Sequence, residues 1–243
     1  MTLRKRIVCL IILTVITVVP LTLSASIDDL YIIDTPKAYN PFRGDMLFDF
    51  SIYDGGGIIA SAVLAVSDFA FLGVYFDAGN VIGSDEVSVN QPGVLARVLL
   101  SDGSTRLPPI AIGYSYFMKG EMGKVNGVIV NGFYAVLSQP YFLFQSEQYL
   151  SFGIRYPVIP FHYSSPRNIT LFVGTDIEIS PAFSIKGEME NIYLKEERWS
   201  EIFYNFGVDF NIVDLLSIDI EFKYSPSLEK IVRQLSIGYY TQF

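Results

Sequence analysis

The chain is short of the residues that most chemistry needs. It has one cysteine and one histidine in 243 residues, which excludes a disulfide framework, a cysteine-built zinc site and any histidine-rich metal centre. Basic residues are in deficit as well. Seventeen Lys+Arg stand against 25 Asp+Glu, with a pI near 4.7, so nothing basic is available to neutralise a phosphate backbone and nucleic acid is excluded as a partner. Charge of either sign is sparse at 17%, whereas 51% of the residues are hydrophobic and 15% aromatic, a balance that excludes disorder. A glycine-rich phosphate loop, HExxH, CxxC and a nucleophile elbow are all missing, so no cofactor, no metal and no enzymatic activity are expected. Gly55-Gly56-Gly57 reads as a hairpin turn.

One long apolar run is present, and it lies at the start. Arg4, Lys5 and Arg6 precede the uncharged stretch Ile7 to Val19, which contains Cys9 and ends at Pro20, with Leu23-Ser24-Ala25 following. A basic start, an apolar centre shorter than the ~20 residues of a spanning helix and a small-residue exit describe a secretory signal peptide cleaved after Ala25. Residues 1–25 are therefore expected to direct export through the Sec pathway, 26–43 to form an N-terminal leader that could enter a lumen, and 44–243 to form the folded domain. Cleavage removes three of the cations and none of the 25 acids, which deepens the negative charge of the remainder.

From Gly44 onward no helical periodicity appears, and period-two alternation recurs instead. Ile169, Leu171, Val173, Thr175, Ile177 and Ile179 oppose Asp176 and Glu178; Phe183, Ile185, Met189 and Tyr193 oppose Lys186, Glu188 and Glu190. Ile202, Tyr204, Phe206, Val208 and Phe210 oppose Glu201, Asn205 and Asp209, and Leu216, Ile218, Ile220 and Phe222 oppose Asp219, Glu221 and Lys223. Alternation alone does not name the solvent, because a soluble sandwich alternates too. The connections decide. Short turns at Ser67-Asp68-Phe69, Ser101-Asp102-Gly103, Ser138-Gln139-Pro140, Ser180-Pro181-Ala182 and Val213-Asp214-Leu215 alternate with longer or more polar connections, the asymmetry of a transmembrane β-barrel with tight periplasmic turns and longer outer loops.

The sequence thus predicts an all-β fold: a transmembrane antiparallel up-and-down β-barrel of about twelve strands, near 45–53, 58–66, 69–77, 94–101, 109–118, 127–137, 141–156, 168–179, 182–193, 199–212, 216–224 and 231–243. Aromatics at strand ends, among them Tyr53, Phe69, Tyr116, Tyr141, Tyr193, Trp199 and Tyr224, suit interface girdles. The last strand ends on Phe243, with Tyr239 on the same face, and resembles the terminal strand of bacterial outer-membrane barrels, whose final aromatic is read by the barrel-assembly machinery. The expected setting is the bacterial outer membrane, with its lipid and that machinery as partners.

Candidate functional residues follow from the barrel. Asp176, Glu178, Glu188, Glu190, Glu201, Asp209, Asp219 and Glu221 share the polar face with only Lys186 and Lys223, which predicts a hydrated acidic lumen wall that favours small cations. The opposite wall carries small groups, Ser61, Ala65, Gly73, Ala111, Gly113 and Ser115, leaving room for the leader to cover it. His162 and Ser164, with Asn168 nearby, could form an activated-serine set of the kind found in outer-membrane phospholipases, but Pro157, Pro160 and Pro166 make this stretch a loop, and no catalytic residue is assigned.

Asp34-Thr35-Pro36-Lys37-Ala38-Tyr39, Pro92-Gly93-Val94 and Leu107-Pro108-Pro109-Ile110-Ala111-Ile112-Gly113 together resemble the YjbH-like family of outer-membrane barrels over about residues 34–114. The resemblance implies an export-accessory role linked to exopolysaccharide secretion. Two other readings stand beside it: a structural or adhesive barrel with a plugged lumen, and a lipid-modifying enzyme using His162 and Ser164.

Overall fold

The computed structural model describes residues 30–104, 106–116, 132–144, 146–158, 169–193, 202–213, 215–226 and 229–242. Among them lie β1 (Asp45–Tyr53), β2 (Gly57–Ser67), β3 (Ala70–Gly79), β4 (Ser88–Val89), β5 (Gly93–Ser101), β6 (Ile110–Tyr116) and β7 (Gly132–Leu143). They continue with β8 (Ser146–Pro157), β9 (Thr170–Ser180), β10 (Phe183–Tyr193), β11 (Phe203–Val213), β12 (Leu216–Ser225) and β13 (Lys230–Gln242). Each full strand pairs antiparallel with its neighbour in sequence, β3 pairing with β5 while the two-residue β4 rests on the end of β3. β13 returns to β1, from Asp45 opposite Gln242 to Tyr53 opposite Gln234. Twelve full strands therefore close into a barrel, as the alternation predicts. Closure leaves no sheet edge and satisfies the backbone within the wall, which a structure crossing lipid requires.

The alternation puts the apolar face outside. In β3, Leu72 (57% exposed) and Val74 (59%) point out while Phe71 (1%) and Tyr75 (7%) point in. Phe206, Phe210 and Ile212 of β11 are likewise exposed while Asn205 and Asp209 are buried. Such an inverted pattern suits a wall solvated by hydrocarbon outside and by polar groups within. The connections at one end occupy only 68–69, 102–109, 144–145, 181–182 and 214–215, and those at the other occupy 54–56, 80–92, 117–131, 158–169, 194–202 and 226–229. Gly44 and Gln242, which lead into β1 and end β13, share the short-turn end.

Three local expectations are corrected. Ser138-Gln139-Pro140 is not a turn, because β7 continues to Leu143 and reverses at Phe144, which takes φ 52°. The proline is tolerated for a geometric reason: the Ser138 N–H donates to Pro109 O on the β6 side, so the Pro140 nitrogen faces that side too, beyond the point where β6 ends at Ile110 opposite Leu137. Tyr193 does not join the outer face. A bulge in β10 between Met189 and Ile192, with Asn191 at φ 62°, shifts the parity and sets Tyr193 opposite the inward Thr170. Tyr53 also points inward, its hydroxyl donating to Asp77 at 2.8 Å. The strand positions expected at 127–131 and 199–201, including Trp199, lie outside the described residues.

Candidate functional site: an occupied lumen

The segment from Leu30 to Asn40 runs inside the barrel. Its tip is a tight turn in which Tyr31 bridges Pro36, Ile32 N–H donates to Thr35 O (2.9 Å) and Lys37 N–H donates to Leu30 O (3.1 Å). The turn aims three successive amides at one carboxylate. Ile33, Asp34 and Thr35 N–H reach Glu188 at 3.1, 2.9 and 2.9 Å, and Asn205 Nδ2 adds a fourth donor at 2.7 Å. Consecutive amides converging on an anion form a nest, and bonds to a charged acceptor are about twice as strong as neutral ones.

Cations of the wall hold the same segment from other sides. Arg97, 1% exposed, donates to Leu30 O (3.1 Å), Tyr39 O (2.9 Å) and the Tyr134 hydroxyl (2.9 Å), with its guanidinium over the rings of Phe71 and Tyr31 at 4.8 and 5.2 Å. Arg155 pairs with Glu190 at 2.9 Å, touches Asp34 O at 3.4 Å and lies over Phe172. Lys223 joins Asp34 (3.0 Å) to Glu221 (3.2 Å), and Lys37 reaches Asp176 at 3.3 Å. Ala38 N–H donates to Ser138 Oγ at 2.8 Å.

Apolar packing completes the seating. Leu30 joins Ile59, Val63, Phe71, Tyr75 and Leu95, and Ala38 joins Ala111, Tyr134, Val136 and Phe172. Glycine makes the close approach possible on the far wall: a Cβ on Gly174 would stand 2.9 Å from Ile32 Cδ1, and one on Gly207 would stand 3.3 Å from Ile33 Cδ1. Burial pushes the Tyr31 phenol well above its usual value, and Tyr134 beside it adds to the rise while Arg97 opposes it.

The residues singled out from sequence are placed as follows. Glu188, Glu190, Asp209, Asp219 and Glu221 are buried on the inner face, with Asp176 and Glu178 half-buried there. Lys186 and Lys223 face inward among them; Lys186 pairs with Asp219 and stands 3.9 Å from Asp209. These carboxylates are therefore divided among ion pairs and amides rather than presented as a bare stripe. Ser61, Ala65, Gly73, Ala111, Gly113 and Ser115 also face inward. Tyr239 points outward and is exposed. Glu201, Phe243, His162, Ser164 and Asn168 lie outside the described residues.

Sequence reasoning missed Lys37, Arg97 and Arg155 as lumenal cations. Arg97 stands alone among Val94, Leu95, Ala96, Val98 and Leu99, so no charged stripe marked it, although period two from Leu95 does place it inward. Asp34, Glu188 and Glu190 offer oxygens within 4.8 Å of one another. That donor set could suit a hard cation, but Lys223, the turn amides and Arg155 respectively already engage the three.

No family model and no curated protein matches the chain, so the YjbH-like resemblance receives no support from these comparisons. Among solved structures, the KdgM porin is similar at a TM-score of 0.52 and 11% identity, over 80% of this chain and 98% of that one. A KdgM porin in complex with disordered oligogalacturonate is similar at 0.50 and 12%, over 82% and 99%. The Acinetobacter baumannii outer membrane protein Omp33 follows at 0.46 and 9%, over 83% and 98%. At these identities the likeness to the KdgM structures concerns the barrel fold.

Proposed function

We propose that the chain is a bacterial outer-membrane transport barrel whose lumen is closed by its own N-terminal segment, and which passes small cations or neutral solutes when that segment leaves. The observation that carries this reading is the seating of the Ile33, Asp34 and Thr35 amides on Glu188 in the middle of the lumen. Support for the membrane setting comes from the apolar exterior, the closed sheet and the similarity of fold to a porin. The same reading carries a signal peptide over residues 1–25, Sec export, and insertion by the barrel-assembly machinery through Tyr239 and Phe243.

Two features favour a gate over a fixed filling. The segment joins the barrel covalently only through β1, and its seat is rich in buried ion pairs, whose attraction is largely offset by desolvation. Its removal takes away Asp34 and Lys37 together, so the lumen keeps the acid surplus of its wall, now with Glu188 and Asp176 open to the solute path, and selects cations. The KdgM complex holds oligogalacturonate; a lumen with this surplus of acids repels such a polyanion. The polysaccharide-secretion role is the finer form of the reading and rests on the three YjbH-like stretches alone.

The test is planar-bilayer conductance of the refolded chain. Glu188→Gln keeps the shape and removes the charge, weakening bonds of a kind that contributes about 1.5–3 kcal/mol. The variant should show cation-selective openings roughly tenfold to a hundredfold more often than the parent chain. Equal silence in both would leave a structural or adhesive barrel, the reading favoured by the two apolar clusters around Leu30 and Ala38.

A further inference from the structure

The segment does not fill the lumen. Between its tip and the wall formed by β12, β13, β1 and β2 remains a cavity of about 160 Å³, and a cavity of about 150 Å³ accepts a benzene-sized guest. Strand register sets two kinds of lining side by side. Ser236 stands opposite Ser51, and Ser51 opposite Ile59, so the wall passes from hydroxyl and amide groups on β13 and β1 to Ile59 and Val63 on β2, against which Leu30 of the segment packs.

The hydroxyl edge has a direction. Ser51 Oγ donates its one proton to the Asp49 carboxylate (2.9 Å), so the 2.8 Å contact between Ser51 and Ser236 takes its proton from Ser236. Gln234 Nε2 donates to Ser51 and Ser236 at 3.2 and 3.1 Å, and its Oε1 accepts from Lys223 at 3.1 Å. The side-chain protons of this chain are all given within it, and it meets a guest with acceptors. Ser217 adds a hydroxyl beside it. This serine is 2% exposed, lines the cavity and stands over Gly238, where a Cβ would come within 2.5 Å of its Oγ; among the described residues that hydroxyl has no hydrogen-bond partner. A buried hydroxyl left this way carries a desolvation cost that a guest hydroxyl removes. The lining charges are engaged already: Asp34 and Glu221 by Lys223, Lys186 by Asp219 and Asp49 by Ser51. A guest of either sign would shed its hydration without finding a free counter-charge.

We infer that this cavity is a binding site for a small uncharged molecule, one apolar ring with two adjacent hydroxyls on its edge, and that its occupancy holds the segment in place. One hydroxyl donates to Ser236 Oγ and the other pairs with Ser217. Those two serines are diagonal neighbours on adjacent strands, about 7–8 Å apart, a gap that two adjacent hydroxyls span when each lies ~2.8 Å from its partner. The ring rests on the Leu30–Ile59–Val63 side, where burying apolar surface stabilises it. Leu30 and Ile32 belong to the segment, so the site is complete only while the segment is seated, and a guest bound there favours that state. The inference rests on the gate proposed above, since it names a ligand for its seated form.

The test uses the full chain refolded in detergent and checked for heat-modifiable migration, with binding read by calorimetry against a blank of empty micelles. The probe is cis-1,2-cyclohexanediol, with cyclohexanol, 2-aminocyclohexanol and 2-hydroxycyclohexanecarboxylate as its one-hydroxyl, cationic and anionic counterparts. The diol should bind about fivefold or more tightly than each. Ser217→Ala should lower it to the level of cyclohexanol, and Ser217→Leu, which fills the space over Gly238, should abolish binding in a barrel that still shifts on heating. Equal binding of a charged counterpart, a Ser217→Ala barrel that keeps the preference, or no diol binding by the folded chain overturns the inference. In bilayers, diol at about ten times its Kd should cut the openings of Glu188→Gln roughly tenfold, and unchanged openings overturn the holding role. Because binding is read without current, a chain that ignores the diol while its Glu188→Gln variant conducts refutes this site alone, whereas diol binding by a barrel that never conducts refutes the gate alone.

Discussion

A buried guanidinium whose described hydrogen bonds all go to uncharged acceptors is costly unless it is fully hydrogen-bonded and stacked. Arg97 meets that condition only while the N-terminal segment is in place, because Leu30 O, Tyr39 O and the Tyr31 ring all belong to it. Tyr31 reports on the same docking through its proton. Docked, its phenol titrates above the ordinary 10.0 because burial disfavours the anion; released into water, it titrates near that value. The released state therefore binds fewer protons above pH 10, and rising pH draws the segment out. Channel openings of the parent chain should become more frequent as pH rises above about 10, and Tyr31→Phe should flatten that rise. A profile unchanged by the substitution would separate Tyr31 from the docking equilibrium.

At the scale of elements, the fit between the 31–36 turn and the β9–β11 wall depends on absent side chains. Gly174 and Gly207 leave the space that Ile32 and Ile33 occupy. A branched side chain there meets the turn from the wall side, and overpacking of this kind costs about 1–3 kcal/mol. Gly174→Val should thus favour the vacated lumen, seen as more frequent conductance and faster proteolysis near residues 30–40, with the heat-modifiable band retained. Loss of the band would show that Gly174 serves the sheet rather than the turn. The bulge in β10 belongs to the same scale, since it turns Asn191 inward beside Glu190, which the alternation already places there.

For the whole molecule, the exposed apolar band is the term that sets the solvent. A soluble protein does not present Leu72, Val74, Phe206 and Ile212 together with a charged interior. If this band meets hydrocarbon, Val74→Arg should lower stability by about 2–4 kcal/mol when Val74 lies near the bilayer midplane. Urea unfolding of the barrel in lipid vesicles reads that loss as a lower midpoint at unchanged slope. An unaltered midpoint would take β3 out of the bilayer.

The linear chain determined the barrel because its cause is local. A side-chain period of two, broken at short intervals by Ser, Asp, Gly and Pro, needs no distant partner to be read, and it put the strand count near twelve and set the inner position of Glu188, Glu190, Asp209, Asp219, Glu221, Lys186 and Lys223. Parity can be lost only where a residue is added, and the β10 bulge misled the reading of Tyr193 for that reason. The contents of the lumen were a tertiary matter. Which cation meets which carboxylate depends on strand stagger and on a segment more than 150 residues away from Glu188. The nest is made of backbone amides, which carry no sequence signal at all. Arg97 and Arg155 became legible only once closure brought β5 and β8 around the same turn, since a lone arginine in an apolar strand acquires its role from what stands across the barrel.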